Sequence, residues 1–333
     1  MQLQNSRSIH RHYDHVYVSP HFDDVAASCS GRIFKQIEQG KSVLVVTVFT
    51  AAAAHGSPSV SNALKSILNY KCRREEDRAA MQRMGVDYLW LEHPEILFRN
   101  QKSWMRYWPH FRATPDNKIL CDKLTRQFQE ICQQTNCTHL ILPLGVGQHM
   151  DHQIIFQTGV TLFHVKDRLC RIVFYEETPY ALFSFLLTYR LKKTGIRRML
   201  PYGRYQQTDS TGPLSAIEVF RLGTAIPSLG IHRTIIKPWA FLLIIWFHFY
   251  THYLMKPSSG FFDGRPPLPE VCDITPFIDR KLSVISAYTS QLAGPMKDGQ
   301  YIKTGLAAYA DTLGLPEGSF GERYWATPDP EIS

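Results

Sequence analysis

The sequence predicts an α/β fold, with a Rossmann-like, largely parallel β-sheet and helices on both of its faces. The first observation is a series of short apolar runs rich in β-branched residues, at 15–19, 42–50, 88–91, 139–143 and 171–175. Because these runs are apolar without clean alternation, they are typical of strands covered on both faces. The second observation is that helical stretches separate them, which favours a parallel sheet.

The helices are predicted from charged and apolar residues that recur three and four positions apart. They cover 28–39, 73–85 and 117–134, and each connects two of the predicted strands. A later helix is predicted to begin near Thr275, which we interpret as its N-cap. In sheets of this kind ligands bind beyond the carboxyl ends of the strands, so the functional residues are expected there.

Residues 15–333 are predicted to form a single domain that follows a polar N-terminal tail, 1–14. A chain of 333 residues is long enough to bury one large core. From about 181 to 257 the alternation of strand and helix gives way to a basic and aromatic region. We interpret this region as an insertion or cap on the sheet.

The composition argues against a disordered or a disulfide-stabilised protein. Hydrophobic residues make up 44% of the chain and charged residues 20%, which is typical of a globular protein. The seven cysteines are odd in number and scattered, a pattern that predicts neither a disulfide framework nor a structural zinc site. The net charge of +8 favours anionic partners without identifying one. Since residues 1–14 lack the apolar segment of a signal peptide, we expect a cytoplasmic protein.

The first polar cluster is the sequence HFDD, which follows the first predicted strand. His21 and Asp24 are three residues apart in a tight turn, so an imidazole and a carboxylate can reach one cation. Asp23 then stays free to take a proton from water, as metal-assisted hydrolysis requires. The alternative is that these residues only cap the next helix or form a solvated turn.

The second polar cluster, GVGQHMDH, follows the fourth predicted strand and supplies His149, Asp151 and His152. Three protein ligands with one open position are typical of a catalytic zinc site. Either histidine would complete the set begun by His21 and Asp24, and the other histidine would be free to act as an acid. Because the fold brings both strand ends to one crevice, we interpret the two clusters as one metal site.

The two motifs resemble those of the LmbE-like (PIG-L) family of zinc-dependent N-deacetylases. The resemblance continues in RREEDRAAMQRMGV, FYEETPYA, DITPFIDRKLSVISAYTSQ and the C-terminal GERYW, and it covers most of the chain apart from 181–257. It implies a hydrolase that removes an N-acetyl group from an amino sugar of the N-acetylglucosamine type. The substrate would be a glycolipid, a glycan or a natural-product precursor.

The resemblance also implies a role for each residue of the two clusters. His21, Asp24 and His152 are then the ligands of one Zn²⁺ per chain, although such a set also accepts Fe²⁺ or Co²⁺. Asp23 is the general base. His149 stabilises the oxyanion and later protonates the leaving amine.

The resemblance implies roles for two more residues, and at two other positions the sequence differs from the family pattern. Asp151 is expected to hold His149 in orientation, and Arg73 is expected to contact the sugar or its aglycone. Phe22 stands where the commonest family residue is Pro, which makes the turn less rigid. Gly147 stands where some inositol-glycoside deacetylases carry a substrate-contacting Tyr, and this argues against an inositol glycoside as the substrate.

Two other functions are compatible with the same residues. A metallophosphoesterase acting on a sugar phosphate would also use clustered Asp and His side chains, although such enzymes usually bind two metals and the sequence shows one set of ligands. The other alternative is a non-catalytic sugar- or lipid-binding relative. Such a protein would not need a free base and acid beside the metal ligands.

The segment 190–255 combines basic and apolar stretches. Six basic residues predict either a solvated face or a contact with an anionic lipid, phosphate or glycan: Arg190, Lys192, Lys193, Arg197, Arg198 and Arg204. The apolar core that follows, 239–247, is shorter than the ~20 residues of a membrane-spanning helix. It predicts a buried helix or a helix on a membrane surface. Peripheral contact with an anionic membrane or a lipid-linked substrate is therefore one hypothesis. No RNA-binding motif accompanies these residues, so no nucleic-acid partner is expected.

Overall fold

The computed structural model describes residues 1–3, 9, 11–51, 69–99, 115–166, 168–196, 246, 249–256, 260–262, 264–291 and 299–329. The strands in these ranges are β1 (Gln2–Leu3), β2 (His15–Ser19), β3 (Val43–Thr47), β4 (Asp87–Trp90), β5 (His139–Pro143), β6 (Arg171–Tyr175), β7 (Leu268–Asp273) and β8 (Gly321–Ala326). They form one sheet in the order β1-β4-β3-β2-β5-β6-β8-β7. The first six strands are parallel, whereas β8 is antiparallel to both β6 and β7. The predicted α/β fold with a largely parallel sheet is confirmed, and β1, β7 and β8 are the strands that the sequence pattern missed.

The helices of the described ranges are α1 (Asp24–Glu38), α2 (Tyr70–Met84), α3 (Ile96–Arg99), α4 (Pro115–Thr135), α5 (Met150–Phe163), α6 (Ser184–Lys193), α7 (Ile278–Ile285) and α8 (Gly299–Thr312). Short 3₁₀ turns at Tyr180–Leu182 and Thr275–Phe277 and a π turn at Tyr250–Leu254 complete them. The N-cap of the 3₁₀ turn before α7 is Ile274, and Thr275 is the first residue of the turn. The carboxylate of Asp273 accepts from the backbone N–H of Thr275 at 2.8 Å. The prediction that Thr275 is itself the N-cap is therefore wrong by one residue.

Strand β2 shows why its sequence is apolar throughout. Val16 and Val18 belong to a core cluster that includes residues of α4 and α5, whereas Tyr17 belongs to a second cluster with residues of α1, α2 and α7. Successive side chains of a strand point to opposite faces, so helices on both faces bury every residue of this strand.

Strands β2 and β5 are neighbours in the middle of the sheet. From β2 the chain goes to β3 and β4 on one side, and it reaches β5 and β6 on the other side. The crevice beyond the carboxyl ends of β2 and β5 is therefore the topological switch point, where doubly wound sheets bind their ligands.

The first fourteen residues are not a free polar tail, contrary to the prediction. Residues 2–3 form β1, which pairs in parallel with β4 at the edge of the sheet. Leu3, Ile9 and Tyr13 are buried. The Tyr13 hydroxyl also donates to the Asp87 carboxylate at 2.8 Å. The many polar residues of this segment led to the prediction of a tail, although its few apolar side chains pack against the core.

The prediction of a basic surface is wrong for the first residues of the segment 190–255. Arg190 is 1% exposed and donates to the carbonyl of Leu144 and to Oε1 of Gln153, both at 2.6 Å. Lys192 is also buried, and its Nζ donates to the carbonyl of Thr251 at 2.6 Å. Both cations therefore satisfy internal oxygen atoms.

Most of the region interpreted as a cap lies outside the described residues, including Arg197, Arg198, Arg204 and, except for Trp246, the apolar core 239–247. Within the described part of the chain, no helix has both the length and the apolar character needed to cross a membrane.

Candidate metal centre

Two loops at the topological switch point bring the predicted clusters together. After β2 the chain turns at His21 and enters α1 at Asp24. After β5, His149 is the N-cap of α5, and its Nδ1 accepts from the backbone N–H of Asp151 at 3.3 Å. The ring centroid of His21 lies 4.8 Å from that of His149 and 5.2 Å from that of His152.

Three candidate ligand atoms form a nearly equilateral triangle. Nδ1 of His21 and Nε2 of His152 each lie 3.3 Å from Oδ2 of Asp24, and the two nitrogen atoms are 3.3 Å apart. A tetrahedral zinc ion with bonds of about 2.0–2.1 Å separates its ligand atoms by about 3.3–3.4 Å. The donor types and their spacing thus fit a zinc ion, with the fourth position open.

His149 belongs to a wider group of ligand atoms. One ring nitrogen of His149, one of His21 and one of His152 all lie within 4.8 Å of one another. The set that contains Asp24 has shorter and equal separations, and it includes a carboxylate that can neutralise part of the charge of the cation. The arrangement therefore favours Asp24 over His149 as the third ligand.

The outer nitrogen of each histidine in the triangle faces a carboxylate. Nε2 of His21 lies 3.2 Å from Oδ2 of Asp151, and Nδ1 of His152 lies 3.1 Å from Oε1 of Glu177. A proton held between each outer nitrogen and its carboxylate leaves the inner nitrogen with a lone pair for a cation. Glu177 itself accepts from the backbone N–H groups of Gly145 and Val146.

The carboxylate of Asp151 hydrogen-bonds to groups other than His149, and the predicted role of Asp151 in orienting His149 stays a prediction. Besides His21, the carboxylate accepts from the backbone N–H of Ile96 at 3.1 Å and from the guanidinium of Arg99. Only the backbone N–H of Asp151 contacts His149. A carboxylate can serve a residue from the other cluster because the two loops face each other across the crevice.

Sequence reasoning missed Glu177, Arg99 and Glu95. Glu177 follows β6 within FYEETPYA, so its position at the carboxyl end of a parallel strand was an available signal. Arg99 lies in α3, and Glu95 lies just before that helix. Neither residue belongs to a recognisable motif.

Asp23 is poised to accept a proton. It occupies the N-cap position of α1, but its side chain makes no capping hydrogen bond, so the interpretation of this residue as a helix cap fails. Burial and the neighbouring charge of Asp24 raise the pKa of Asp23, and the guanidinium of Arg73 opposes them. The side chain stays partly exposed to the crevice.

The two histidines of the second cluster have opposite proton affinities. Burial, followed by the positive charge of His21, lowers the pKa of His149 to about 4. Because Nδ1 of His149 accepts a hydrogen bond, the neutral ring carries its proton on Nε2. Burial alone would lower the pKa of His152, but the carboxylates of Asp24 and Glu177 outweigh it and raise that pKa to about 9. The carboxylates of Asp24 and Glu177 therefore favour a positive charge among the three candidate ligand atoms.

Arg73 and Phe22 pack together beside the site. Arg73 is 3% exposed, its Nη1 donates to Oε1 of Glu95 at 2.6 Å, and its guanidinium lies 5.3 Å from the centre of the Phe22 ring. Phe22 is fully buried and stands edge-on to Trp90, with ring centroids 5.6 Å apart. Phe22 is therefore a core residue, and the contact of Arg73 with substrate stays a prediction.

Gly147 adjoins an aromatic ring. A Cβ atom at this position would lie 2.7 Å from carbon atoms of the Tyr180 ring. That ring also stands edge-on to His152, with centroids 6.4 Å apart. Tyr180 thus fills the space beside Gly147 from a different part of the chain.

Comparison with known proteins bears on the same residues. The family model described as "PIG-L: GlcNAc-PI de-N-acetylase" matches residues 16–163, a range that contains both clusters. A 2'-N-acetylparomamine deacetylase of Niallia circulans is 24% identical over 191 residues, which are 50% of this chain and 66% of that protein. The match thus spans just under two thirds of the relative.

Solved structures resemble the whole fold. The deacetylase–bog complex from the biosynthesis pathway of teicoplanin has a TM-score of 0.61 at 18% identity, over 97% of this chain and 100% of that one. The zinc inhibited form of teicoplanin deacetylase Orf2 has a TM-score of 0.60 at 18% identity, with the same coverage. At this level of identity the likeness confirms the α/β fold over almost the entire chain.

Proposed function

We propose, on the premise that residues 16–163 form a PIG-L (LmbE-like) family domain, that this protein is a metal-dependent N-deacetylase of amino sugars. The observation that carries the proposal is the triangle of Nδ1 of His21, Oδ2 of Asp24 and Nε2 of His152, with sides of 3.3 Å. Asp23 lies next to this triangle without being part of it. Metal-assisted hydrolysis uses both a cation and a separate base, whereas a binding protein has no need of a free base beside the ligands.

His21, Asp24 and His152 would hold one Zn²⁺ per chain, and the same donor set would accept Fe²⁺ or Co²⁺. When bound, the ion would polarise the acyl oxygen and lower the pKa of water, which are the two contributions that amide hydrolysis needs from a metal. One structural neighbour is named as a zinc inhibited form, so the activity of this chain has to be measured against metal content and not only with excess zinc.

Asp23 is the proposed general base. Its raised pKa brings the carboxylate closer to the pH at which it must accept a proton from the attacking water. Its partial exposure leaves it accessible from the crevice. An acid that capped the helix or ligated the metal would not be free for this step.

His149 is the proposed partner of the acyl oxygen and of the leaving amine. With Nδ1 occupied by the N–H of Asp151, the Nε2–H group is the donor available to the oxyanion. Negative charge on that oxygen favours uptake of a second proton by the ring. This proton comes from solvent and binds Nδ1, which gives up its hydrogen bond from Asp151. The protonated ring can then deliver its Nε2 proton to the amine nitrogen, which leaves poorly as an anion. Asp151 would act on this reaction through His21, since its carboxylate faces that ring.

The proposed substrate is an N-acetylated amino sugar of the N-acetylglucosamine type, within a natural-product precursor, a glycan or a glycolipid. The Niallia circulans relative is named for 2'-N-acetylparomamine, and this name supports an N-acetylated amine as the substrate. A metallophosphoesterase has less support, because the described residues gather one set of His and Asp ligands where such enzymes usually hold two metals.

The experiment uses the purified protein with its metal content titrated from none to one equivalent of Zn²⁺, Fe²⁺ or Co²⁺. The substrates are N-acetylglucosaminides that carry aminoglycoside, inositol, lipid, nucleotide and oligosaccharide aglycones, and the readouts are released acetate and, for sugar phosphates, released phosphate. We expect acetate from at least one amino sugar and none from the Asp23→Asn variant. Phosphate release without acetate would replace the proposal by the phosphoesterase, and no release with any substrate would contradict both.

Peripheral contact with a membrane remains a proposal that depends on the end of the segment 190–255. Trp246, Phe249 and Leu254 are 56%, 49% and 56% exposed, and Trp246 stacks on Tyr250 at 5.4 Å between ring centroids. Exposed apolar side chains of this kind suit the boundary between headgroups and acyl chains. Flotation with anionic and with neutral vesicles tests the contact in a cytoplasm-like buffer, and we expect Trp246→Ala to float less. Absence of the wild-type chain from the vesicle fraction would contradict the proposed contact with a membrane.

A further inference from the structure

Three buried thiols gather at the end of the sheet opposite the triangle. Cys132 lies in the last turn of α4, Cys137 shortly precedes β5, and Cys170 immediately precedes β6. Since β5 and β6 are parallel neighbours, the two loops lie side by side at the amino ends of these strands. The sequence analysis treated the cysteines as scattered, because nothing in the chain spacing relates position 132 or 137 to position 170.

The three sulfur atoms have the spacing of metal ligands. Sγ of Cys132 and Sγ of Cys170 are 3.6 Å apart, and all three sulfurs lie within 4.8 Å of one another. A tetrahedral zinc ion with Zn–S bonds of about 2.3 Å separates its sulfur ligands by about 3.8 Å. The distance between the sulfurs of Cys132 and Cys170 is already close to this value. The two distances to the sulfur of Cys137 need to shorten by about 1 Å or less, which a rotation of the side chain can supply. The three residues are 3–4% exposed.

A cavity gives the cluster an entrance and room for a fourth ligand. It has a volume of about 240 Å³ and is lined by Cys132 and Cys170 together with Gln129, Gln133 and Arg168. The carbonyl end of α4 also lies here, and the C-terminus of a helix favours a cation. Ligand number, distances and an entry path are the features that a credible metal site must have.

We propose that Cys132, Cys137 and Cys170 form a second metal site, for a thiophilic d¹⁰ cation such as Zn²⁺, distinct from the His21–Asp24–His152 triangle. A disulfide would need only two of these thiols, so the convergence of a third sulfur favours a metal. Binding of a divalent ion releases the three thiol protons to solvent and leaves one net negative charge. The guanidinium of Arg168, on the wall of the same cavity, offsets that charge. The bound ion would cross-link α4 to the starts of β5 and β6.

Cobalt distinguishes the two sites, because only thiolate ligands give intense sulfur-to-cobalt charge-transfer absorption in the near ultraviolet. The full chain is kept reduced and free of oxygen, and Co²⁺ is titrated to two equivalents. We expect this absorption in the wild-type protein, at least a tenfold weaker cobalt affinity at the thiolate site in Cys137→Ala and Cys170→Ala, and no change in Cys121→Ala. Cys121 is a buried cysteine of α4 outside the cluster, so it is a matched control.

The wild-type spectrum alone can overturn the proposal, even if a variant fails to fold. Absence of charge-transfer absorption at saturating Co²⁺, or an unchanged spectrum in folded Cys170→Ala, would contradict a thiolate site. Formation of a Cys132–Cys170 disulfide in air, without cobalt absorption in the reduced protein, would assign the pair to redox chemistry instead. None of these readouts depends on acetate release, so failure of the proposed deacetylase function would leave them unaffected.

Discussion

The Oδ2 atom of Asp151 lies 3.2 Å from Nε2 of His21, so the acid of the second cluster supports a histidine of the first. Glu177 stands in the same relation to His152, at 3.1 Å from its Nδ1. Each histidine of the triangle is thus oriented by a buried carboxylate from another loop. Substitution of either carboxylate is therefore expected to change the affinity of the site for a metal, as substitution of a ligand would.

Replacement of Asp151 by Asn should weaken zinc binding by about 10- to 100-fold, because the imidazole of His21 loses its carboxylate partner. Zinc affinity is measured by competition with a chelator in the Cys170→Ala background, so that the thiol cluster does not contribute. Glu177→Gln should give a similar loss through His152. Asp122→Asn, at an exposed position of α4, is the matched control. Normal affinity in both folded variants would show that the carboxylates do not support the ligands.

Replacement of Asp23 by Asn should separate metal binding from turnover. Since Asp23 is outside the triangle, we expect zinc affinity within about threefold of wild type, and a loss of turnover of about 10²-fold or more for a missing general base. Asp24→Asn should lose both properties. The measurements are metal content and the rate of acetate release on the best substrate. A folded, metal-loaded Asp23→Asn variant with wild-type turnover would refute the assigned base.

Substitution of Gly147 by Ala should destabilise the protein by about 1–3 kcal/mol, because the new Cβ would meet the ring of Tyr180 at 2.7 Å. The clash requires the ring, so Tyr180→Ala in the same chain should remove most of the added cost. Urea unfolding of the two single variants and the double variant gives the coupling energy. If Gly147→Ala costs the same with and without the Tyr180 ring, the space beside Gly147 is not filled as described.

Ionisation of the buried Asp77 carboxyl should lower the free energy of unfolding of the protein as the pH rises from 4 to 7. Burial raises the pKa of Asp77 to about 7, although the hydroxyl of Tyr288 and the indole N–H of Trp90 donate to its carboxylate. Between the unfolded and folded pKa values the folded chain binds more protons than the unfolded chain, so its free energy of unfolding falls with rising pH.

The Asp77→Asn variant removes this titration. Its amide oxygen can still accept from the indole N–H of Trp90, and its amide NH₂ can donate to the hydroxyl oxygen of Tyr288. In chelator, the free energy of unfolding of wild type relative to Asp77→Asn should fall by up to ~4 kcal/mol across this range, at 1.36 kcal/mol per pKa unit. Urea denaturation at several pH values measures the difference. A difference that is constant with pH would mean that Asp77 ionises normally in the folded state.

Local residue patterns were sufficient to predict the frame of the fold. Strands β2, β5 and β6 have the predicted bounds, because a strand that is covered on both faces must be apolar at every position. The two clusters that contain His21, Asp24 and His152 could be located for a related reason, whereas the choice of His152 over His149 as the ligand rested on the family resemblance. Both clusters directly follow parallel strands, and parallel strands present their carboxyl ends at one edge of the sheet.

Strands β7 and β8 escaped prediction because their features are not local. Both β7 and β8 carry charged residues, and Glu322 in β8 is neutralised by the buried Lys281 at 2.7 Å, from α7. The burial of Arg190 could not be predicted either, since its oxygen partners lie in the loop after β5 and in α5.

The fold class, the loops that follow the parallel strands and the residue types in those loops could all be inferred from local patterns of the sequence. The contact of Asp151 with His21, the contact of Glu177 with His152 and the meeting of three distant cysteines became known only from the folded chain. These relations join residues on different loops. Their distances depend on strand order, register and helix packing, which no spacing along the chain records.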